Sequence, residues 1–172
     1  MRKLLFHSLF GGPATEKPPA PGDAELAELG RALERAAGRR LGRSLSIRAV
    51  DAGSCNGCEL ELHALNNAYY DVERFGIRFV ASPRHADVLL VTGPVTKNMR
   101  EALERTYAAT PAPKWVVAVG DCAADGGIFR GSYACFGGVG DAIPVDLHIP
   151  GCPPNPVQLL KGLLALLEQN AR

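Results

Sequence analysis

Cys55, Cys58, Cys122 and Cys152 carry the densest chemistry in the chain: one local pair in the stretch SCNGCE and two isolated thiols far downstream. Thiolates bind soft metals, hold iron–sulfur clusters and exchange with disulfides, so a CxxC pair alone leaves three chemistries open. Structural zinc sites with four cysteines usually draw on two local CxxC knuckles, and only one is present here. A cubane cluster needs four thiolates around an object larger than one ion, which separated loops can supply; the spacing therefore favours a cluster over zinc. A thioredoxin-like dithiol explains a CxxC at the start of a helix but leaves Cys122 and Cys152 unused, and the motif lacks an aromatic-Cys-Gly-Pro-Cys pattern. Cys135, in the Gly-rich stretch GSYACFGG, reads as a plain buried or half-exposed thiol.

The surroundings of the four cysteines fit a buried anionic group. Gly53, Gly57, Gly120, Gly126, Gly127 and Gly151 flank them, and their repeated placement beside Cys suits close approach of backbone N–H groups to sulfur. Glu59 and Glu61 are candidate proton relays, or ordinary acids in the first turn of a helix, where the dipole favours them. His85 either tunes a nearby cluster or, the favoured reading, is a structural or subunit contact. Arg84 and Asp87 read as loop charges at an interface, and Tyr69, Tyr70 and Phe75 as core or interface aromatics.

These residues must be positioned by the elements around them. Short apolar runs over 45–50, 77–81, 87–91, 115–119 and 145–149 read as strands, with helix-like segments over 59–70, 97–108 and 156–169. Buried strands alternating with helices predict a mostly parallel sheet covered on both faces, a three-layer α/β domain. In such sheets ligands gather beyond the carboxyl ends of the strands; Cys55 and Cys58 follow the first strand, Cys122 the fourth and Cys152 the last, so all four converge on one edge.

Upstream, Leu26, Leu29, Leu33 and Ala36 or Ala37 share one stripe of a helix over 23–38, with Asp23 as its N-cap and Arg39-Arg40 as a basic terminus rather than a twin-arginine signal. Residues 1–22 form an N-terminal extension with a Pro/Gly-rich linker, ahead of a single domain over 23–172. Within the extension, residues 1–10 read as a short amphipathic helix docking on a partner or a membrane surface, or as a frayed terminus.

Composition bounds the function. The 172 residues are 47% hydrophobic and 22% charged, with 19 Lys and Arg against 18 Asp and Glu, a balance that gives no reason to expect nucleic acid. No window reaches the roughly 18 consecutive apolar residues of a membrane span, and MRKLLFHSLF lacks a signal-peptide core, so a cytoplasmic location is expected. Five cysteines, an odd number, without a secretory signal speak for metal or redox chemistry rather than a disulfide framework.

The segments AGSCNGCELE, ERFGIRFVASPRHADVLLVTGPVT, VAVGDCAADGGIF and PVDLHIPGCPPNP resemble the small subunit of membrane-bound, energy-converting nickel-iron hydrogenases of the formate hydrogenlyase type. They are also similar to the complex I subunit that carries the terminal cluster, an NADH-quinone oxidoreductase subunit. The resemblance covers roughly residues 45–168. It implies a flavodoxin-like fold in which Cys55, Cys58, Cys122 and Cys152 hold one 4Fe-4S cluster. Implied partners are a hydrogenase large subunit bearing a nickel-iron centre, a ferredoxin-like iron-sulfur subunit and membrane subunits. The implied location is peripheral, on the cytoplasmic face of the inner membrane. The complex I subunit typically has adjacent cysteines at the first ligand site, whereas Asn56 and Gly57 intervene here, the hydrogenase-like spacing. The proton-transfer glutamate of uptake hydrogenases lies two positions beyond the second Cys, where this chain has Leu60, between Glu59 and Glu61. The implied role is electron transfer, with a quinone-reducing subunit as the related alternative. A dithiol oxidoreductase and a non-catalytic assembly scaffold stand behind these two.

Overall fold

The computed structural model describes residues 24–169; the Asp23 cap, the helix expected over 1–10 and the linker lie outside the described residues. Five parallel strands form the central sheet: β1 (Leu45–Asp51), β2 (Ile77–Phe79), β3 (Val88–Thr92), β5 (Trp115–Val119) and β7 (Leu147–Ile149). Their spatial order is β2-β1-β3-β5-β7. The chain thus moves outward from β1 to β2, then returns to build the other side from β3, the strand order of a flavodoxin-like fold, with its switch point between β1 and β3. The pairing is in register, with Ile47 beside Val88, Val88 beside Trp115 and Val117 beside Leu147.

Successive side chains of a strand point to opposite faces, and both faces here are apolar because helices cover both. Leu45, Ile47, Val88, Leu90, Val117 and Val119 pack under α1 (Ala24–Leu41), α2 (Gly57–Ala64) and α5 (Pro156–Gln169). Val50, Leu89, Val91, Val116 and Ala118 face Leu103 of α3 (Lys97–Ala109) and Ala123 of α4 (Asp121–Asp125). The expected three-layer α/β domain is the observed one. All five positions of β3 and of β5 are buried, and all are apolar except Thr92 at the end of β3.

Element boundaries depart from the sequence pattern where side chains intervene. Helix α1 runs through Gly38 to Leu41 and stops at Gly42, whose φ of +67° is one that glycine adopts freely. Gly30 brings α1 down on Phe75: a Cβ there would lie 2.5 Å from the ring. Helix α2 ends at Ala64 rather than near 70, because the Asn67 side chain accepts the Tyr69 and Tyr70 N–H groups and turns the chain. The last strand starts at Leu147, not 145; Asp146 before it exchanges bonds with Val116, accepting its N–H at 2.7 Å. A small antiparallel pair, β4 (Val95–Thr96) with β6 (Cys135–Gly137), was not expected; it places Cys135 opposite Thr96.

At the amino edge of the sheet lies a closed polar anchor. Asp87 is 5% exposed and accepts both guanidinium nitrogens of Arg43, at 2.6 and 2.9 Å, and the Ser46 N–H at 2.9 Å. This corrects the expectation of an interface charge: Asp87 ties the start of β3 to the start of β1 within the chain. Among the described residues no helix is long and apolar enough to cross a membrane.

Candidate metal centre

The opposite, carboxyl edge of the sheet gathers the cysteines. Cys55 lies in the turn after β1, Cys58 in the first turn of α2, Cys122 in the first turn of α4 after β5, and Cys152 in the turn after β7. All four line one small cavity of about 70 Å³, together with Gly57, Gly93 and Gly151. Cys122 is buried, Cys58 half-buried, and Cys55 and Cys152 are exposed.

Local backbone shape produces this arrangement. Asn56 adopts φ +71°, uncommon for a residue with a side chain, and its N–H donates to Ser54 Oγ at 3.0 Å. Ser54 Oγ donates in turn to Glu59 Oε2 at 2.5 Å, while Asp51 accepts the N–H groups of Gly53 and Ser54 at 2.8 Å. The CxxC turn is thereby held from both sides. It also rests on the turn after β3, where a Cβ at Gly93 would fall 2.6 Å from the Ser54 backbone.

Two further glycines form a cradle at sulfur. A Cβ on Gly120, at φ +86°, would lie 2.7 Å from Cys58 Sγ, and one on Gly127 would lie 2.8 Å from Cys122 Sγ. Backbone therefore approaches two of the four sulfurs as closely as only glycine allows.

Electrostatics around Cys58 and Cys122 are unfavourable to free thiolates. Burial pushes the Cys58 thiol up from 9.0 to about 12, with Glu59 and then Cys55, Cys122 and Cys152 adding to the rise. Cys122 is also raised, first by burial, against a backbone hydrogen bond at Ile128 that works the other way. A positively charged metal group reverses this balance by favouring the deprotonated ligands. Among the described residues no three His, Cys, Asp or Glu side chains are arranged to hold a metal ion. The fit to a larger iron-sulfur group lies in the donor set, four thiols from three loops, and in the glycine cradle about them.

The other candidate residues divide. Glu59 sits beside the cysteines; its second oxygen, Oε1, is buried without a hydrogen-bond partner among the described residues. It lines a separate cavity of about 260 Å³ with Arg48, Asp51 and His63. Glu61 is half-buried on the same helix and lines neither cavity. His85 is exposed in the turn Pro83–His85 that leads into the amino end of β3, away from the cysteines. Cys135 does not line the four-cysteine cavity.

Sequence reasoning missed Ser54 and Asp121. Asp121 lines the cysteine cavity, and its Oδ1 accepts the Gly151 N–H at 2.9 Å. Each directly precedes a cysteine, the one signal that would have singled them out.

Large apolar side chains are exposed near these loops: Leu60 follows the CxxC, and Ile128, Tyr133 and Phe136 follow Cys122, with Ile128 79% and Tyr133 90% exposed. Exposed apolar groups of this size suit burial under another protein.

A family model described as NADH ubiquinone oxidoreductase, 20 Kd subunit, matches residues 55–166. Formate hydrogenlyase subunit 7 of Escherichia coli (strain K12) is 47% identical over 134 residues, covering 76% of this chain and 52% of that protein. The chain thus spans about half the length of that relative. A probable membrane-bound hydrogenase subunit, mbhJ, of Pyrococcus furiosus is 46% identical over 132 residues, covering 77% of this chain and 79% of the relative. Among solved structures, a chain of the membrane-bound sulfane sulfur reductase, an archaeal respiratory membrane complex, aligns with a TM-score of 0.66 at 35% identity, covering 81% of this chain and 77% of that one.

Proposed function

Because the chain belongs to the family of the NADH ubiquinone oxidoreductase 20 Kd subunit, we propose that it is the electron-transfer subunit of a membrane-bound, hydrogen-evolving hydrogenase complex. In this reading Cys55, Cys58, Cys122 and Cys152 hold one 4Fe-4S cluster beside the nickel-iron centre of a partner large subunit. The observation that carries it is the gathering of four thiols from three loops about one cavity at the carboxyl edge of a parallel sheet. The likeness to formate hydrogenlyase subunit 7 and the two residues between Cys55 and Cys58 support the hydrogenase branch.

Bound there, the cluster supplies one-electron transfer, and the proton chemistry belongs to the partner. This chain's residues bind, shield and orient. Gly120 and Gly127 admit the backbone to the sulfurs, and the Ser54–Glu59 bond fixes the CxxC turn. Leu60, Ile128, Tyr133 and Phe136 offer apolar surface to the large subunit, which would exclude water from Cys55 and Cys152. Residues 23–172 act as the single cluster-binding domain, and residues 1–22 as an extension. A ferredoxin-like subunit carries electrons to or from the cluster, and membrane subunits hold the complex at the cytoplasmic face. Glu59, with a buried unpartnered oxygen, is the better candidate of the two acids for a proton relay.

A complex I-like, quinone-reducing role is the second reading, favoured by the family match itself. The two separate on the metal content of the partner. Anaerobic purification of the native complex should give nickel in the large subunit and hydrogen evolution from a reduced viologen. A complex with this chain's cluster, no nickel and quinone reductase activity would replace the first reading by the second.

A further inference from the structure

Cys55 and Cys58 are spaced by the turn between them, but Cys122 and Cys152 sit on separate loops continuing β5 and β7, and sequence proximity does not fix one against the other. The residues just before them do. Asp121 N–H donates to the Gly151 carbonyl at 2.9 Å, and Asp121 Oδ1 accepts the Gly151 N–H at 2.9 Å. One step further back, Gly120 N–H donates to the Ile149 carbonyl at 2.8 Å. The residue preceding one isolated cysteine is therefore clasped twice to the residue preceding the other. The two backbone bonds tie the end of β7 and the Gly151 carbonyl to the start of α4; the carboxylate adds the one contact that holds the Gly151 N–H, the group next to Cys152. Gly151 accommodates the clasp at φ +140°, where a Cβ would fall 2.6 Å from the Pro154 nitrogen. Asp121 is itself exposed, so packing does not impose its conformation.

We propose that Asp121 is a positioning residue, its carboxylate setting the separation of Cys122 and Cys152 for the group these thiols bind. The proposal rests on the four-cysteine cluster reading. It makes the hydrogen bond, not the negative charge, the working feature, so asparagine, which keeps an acceptor oxygen, should replace aspartate and alanine should not.

The test compares wild-type, Asp121→Asn and Asp121→Ala chains, each co-produced with the native partner subunits and purified anaerobically. Three quantities are read: iron and acid-labile sulfide per chain, the rate of iron loss to a chelator, and the electron paramagnetic resonance g values of the reduced cluster. Asp121→Ala should lose iron about tenfold faster, the scale of one hydrogen bond, with shifted g values. Asp121→Asn should match wild type in both. If Asp121→Ala fails to assemble, restoration by Asp121→Asn supports the clasp, and failure of both overturns it. Wild-type behaviour of Asp121→Ala overturns it, as does an Asp121→Asn complex as labile as Asp121→Ala. A loss of about four irons per chain in Cys122→Ser relative to the wild-type complex establishes the cluster independently, so failure of the clasp alone is recognisable; unchanged iron in Cys122→Ser overturns both.

Discussion

The two edges of one sheet are built to opposite ends. At the amino edge, the Asp87 carboxylate is buried and meets three donors from Arg43 and Ser46. At the carboxyl edge, four thiols face a common cavity, two of them pushed toward neutrality by burial, and large apolar side chains stand exposed around them. The same strands thus carry a closed polar anchor at one end and converging thiols at the other. Polar groups satisfied within the chain contribute to its stability; thiols gathered about one cavity suit the cluster proposed for them.

The sharpest way to break this contrast is at the anchor. Asp87→Ala strands the Ser46 N–H and frees a half-exposed guanidinium, and should cost about 3 kcal/mol, read as a lower urea midpoint at unchanged slope. Iron bound per folded complex should stay at the wild-type level, because the anchor does not touch the cysteines.

Gly120→Ala acts at the other edge and should do both kinds of damage. Its φ of +86° with ψ of 160° lies in a region essentially reserved for glycine and disfavours a side chain by about 1–3 kcal/mol, and the added Cβ at 2.7 Å displaces Cys58 Sγ. Iron content should fall along with stability. Gly42→Ala is its control: φ is +67°, and nothing lies within 4 Å of the added Cβ. It should show the backbone cost of about 1 kcal/mol alone.

The pH response differs in sign between the metal-free and loaded chains. In the metal-free fold Cys58 holds its proton more tightly than in the unfolded chain, its value raised from 9.0 to about 12. The unfolded state therefore loses the proton first, and this contribution to stability declines as pH rises from about 9 toward 12. Cluster binding releases that proton, so reconstitution should strengthen as pH rises through the neutral range. Urea midpoints and cluster loading across pH 6 to 10 check both signs.

The smallest effect belongs to neither edge. Arg105→Gln removes an ion pair to Glu101 whose side chains are 78% and 73% exposed, and should change the urea midpoint by less than about 0.5 kcal/mol.

Much of the carboxyl edge is legible in sequence, and much of the amino edge is not. Apolar runs such as Trp115–Val119 mark buried strands directly, and the strand-to-helix turns after them place Cys55, Cys58, Cys122 and Cys152 on a common side. The Asp87 anchor depends on Arg43, distant in sequence, so a buried acid there reads as a loop charge. Asp121 drew no reading from the sequence because its partner, Gly151, lies on another loop. The β4–β6 pair was hidden for a similar reason: its strands are too short to show a period, and Cys135–Gly137 is rich in glycine context that signals a loop. Asn67 ended α2 early through side-chain bonds that hydrophobic periodicity does not register.

The central claim is that the four thiols act as one set of ligands. Iron and acid-labile sulfide per copy of this chain, measured in the anaerobically purified complex beside its Cys122→Ser and Cys152→Ser variants, test it most directly. The account predicts that each variant complex holds about four irons and four sulfides per chain fewer than the wild-type complex. Full retention of iron in both variants, or zinc in place of iron in the wild type, would contradict it.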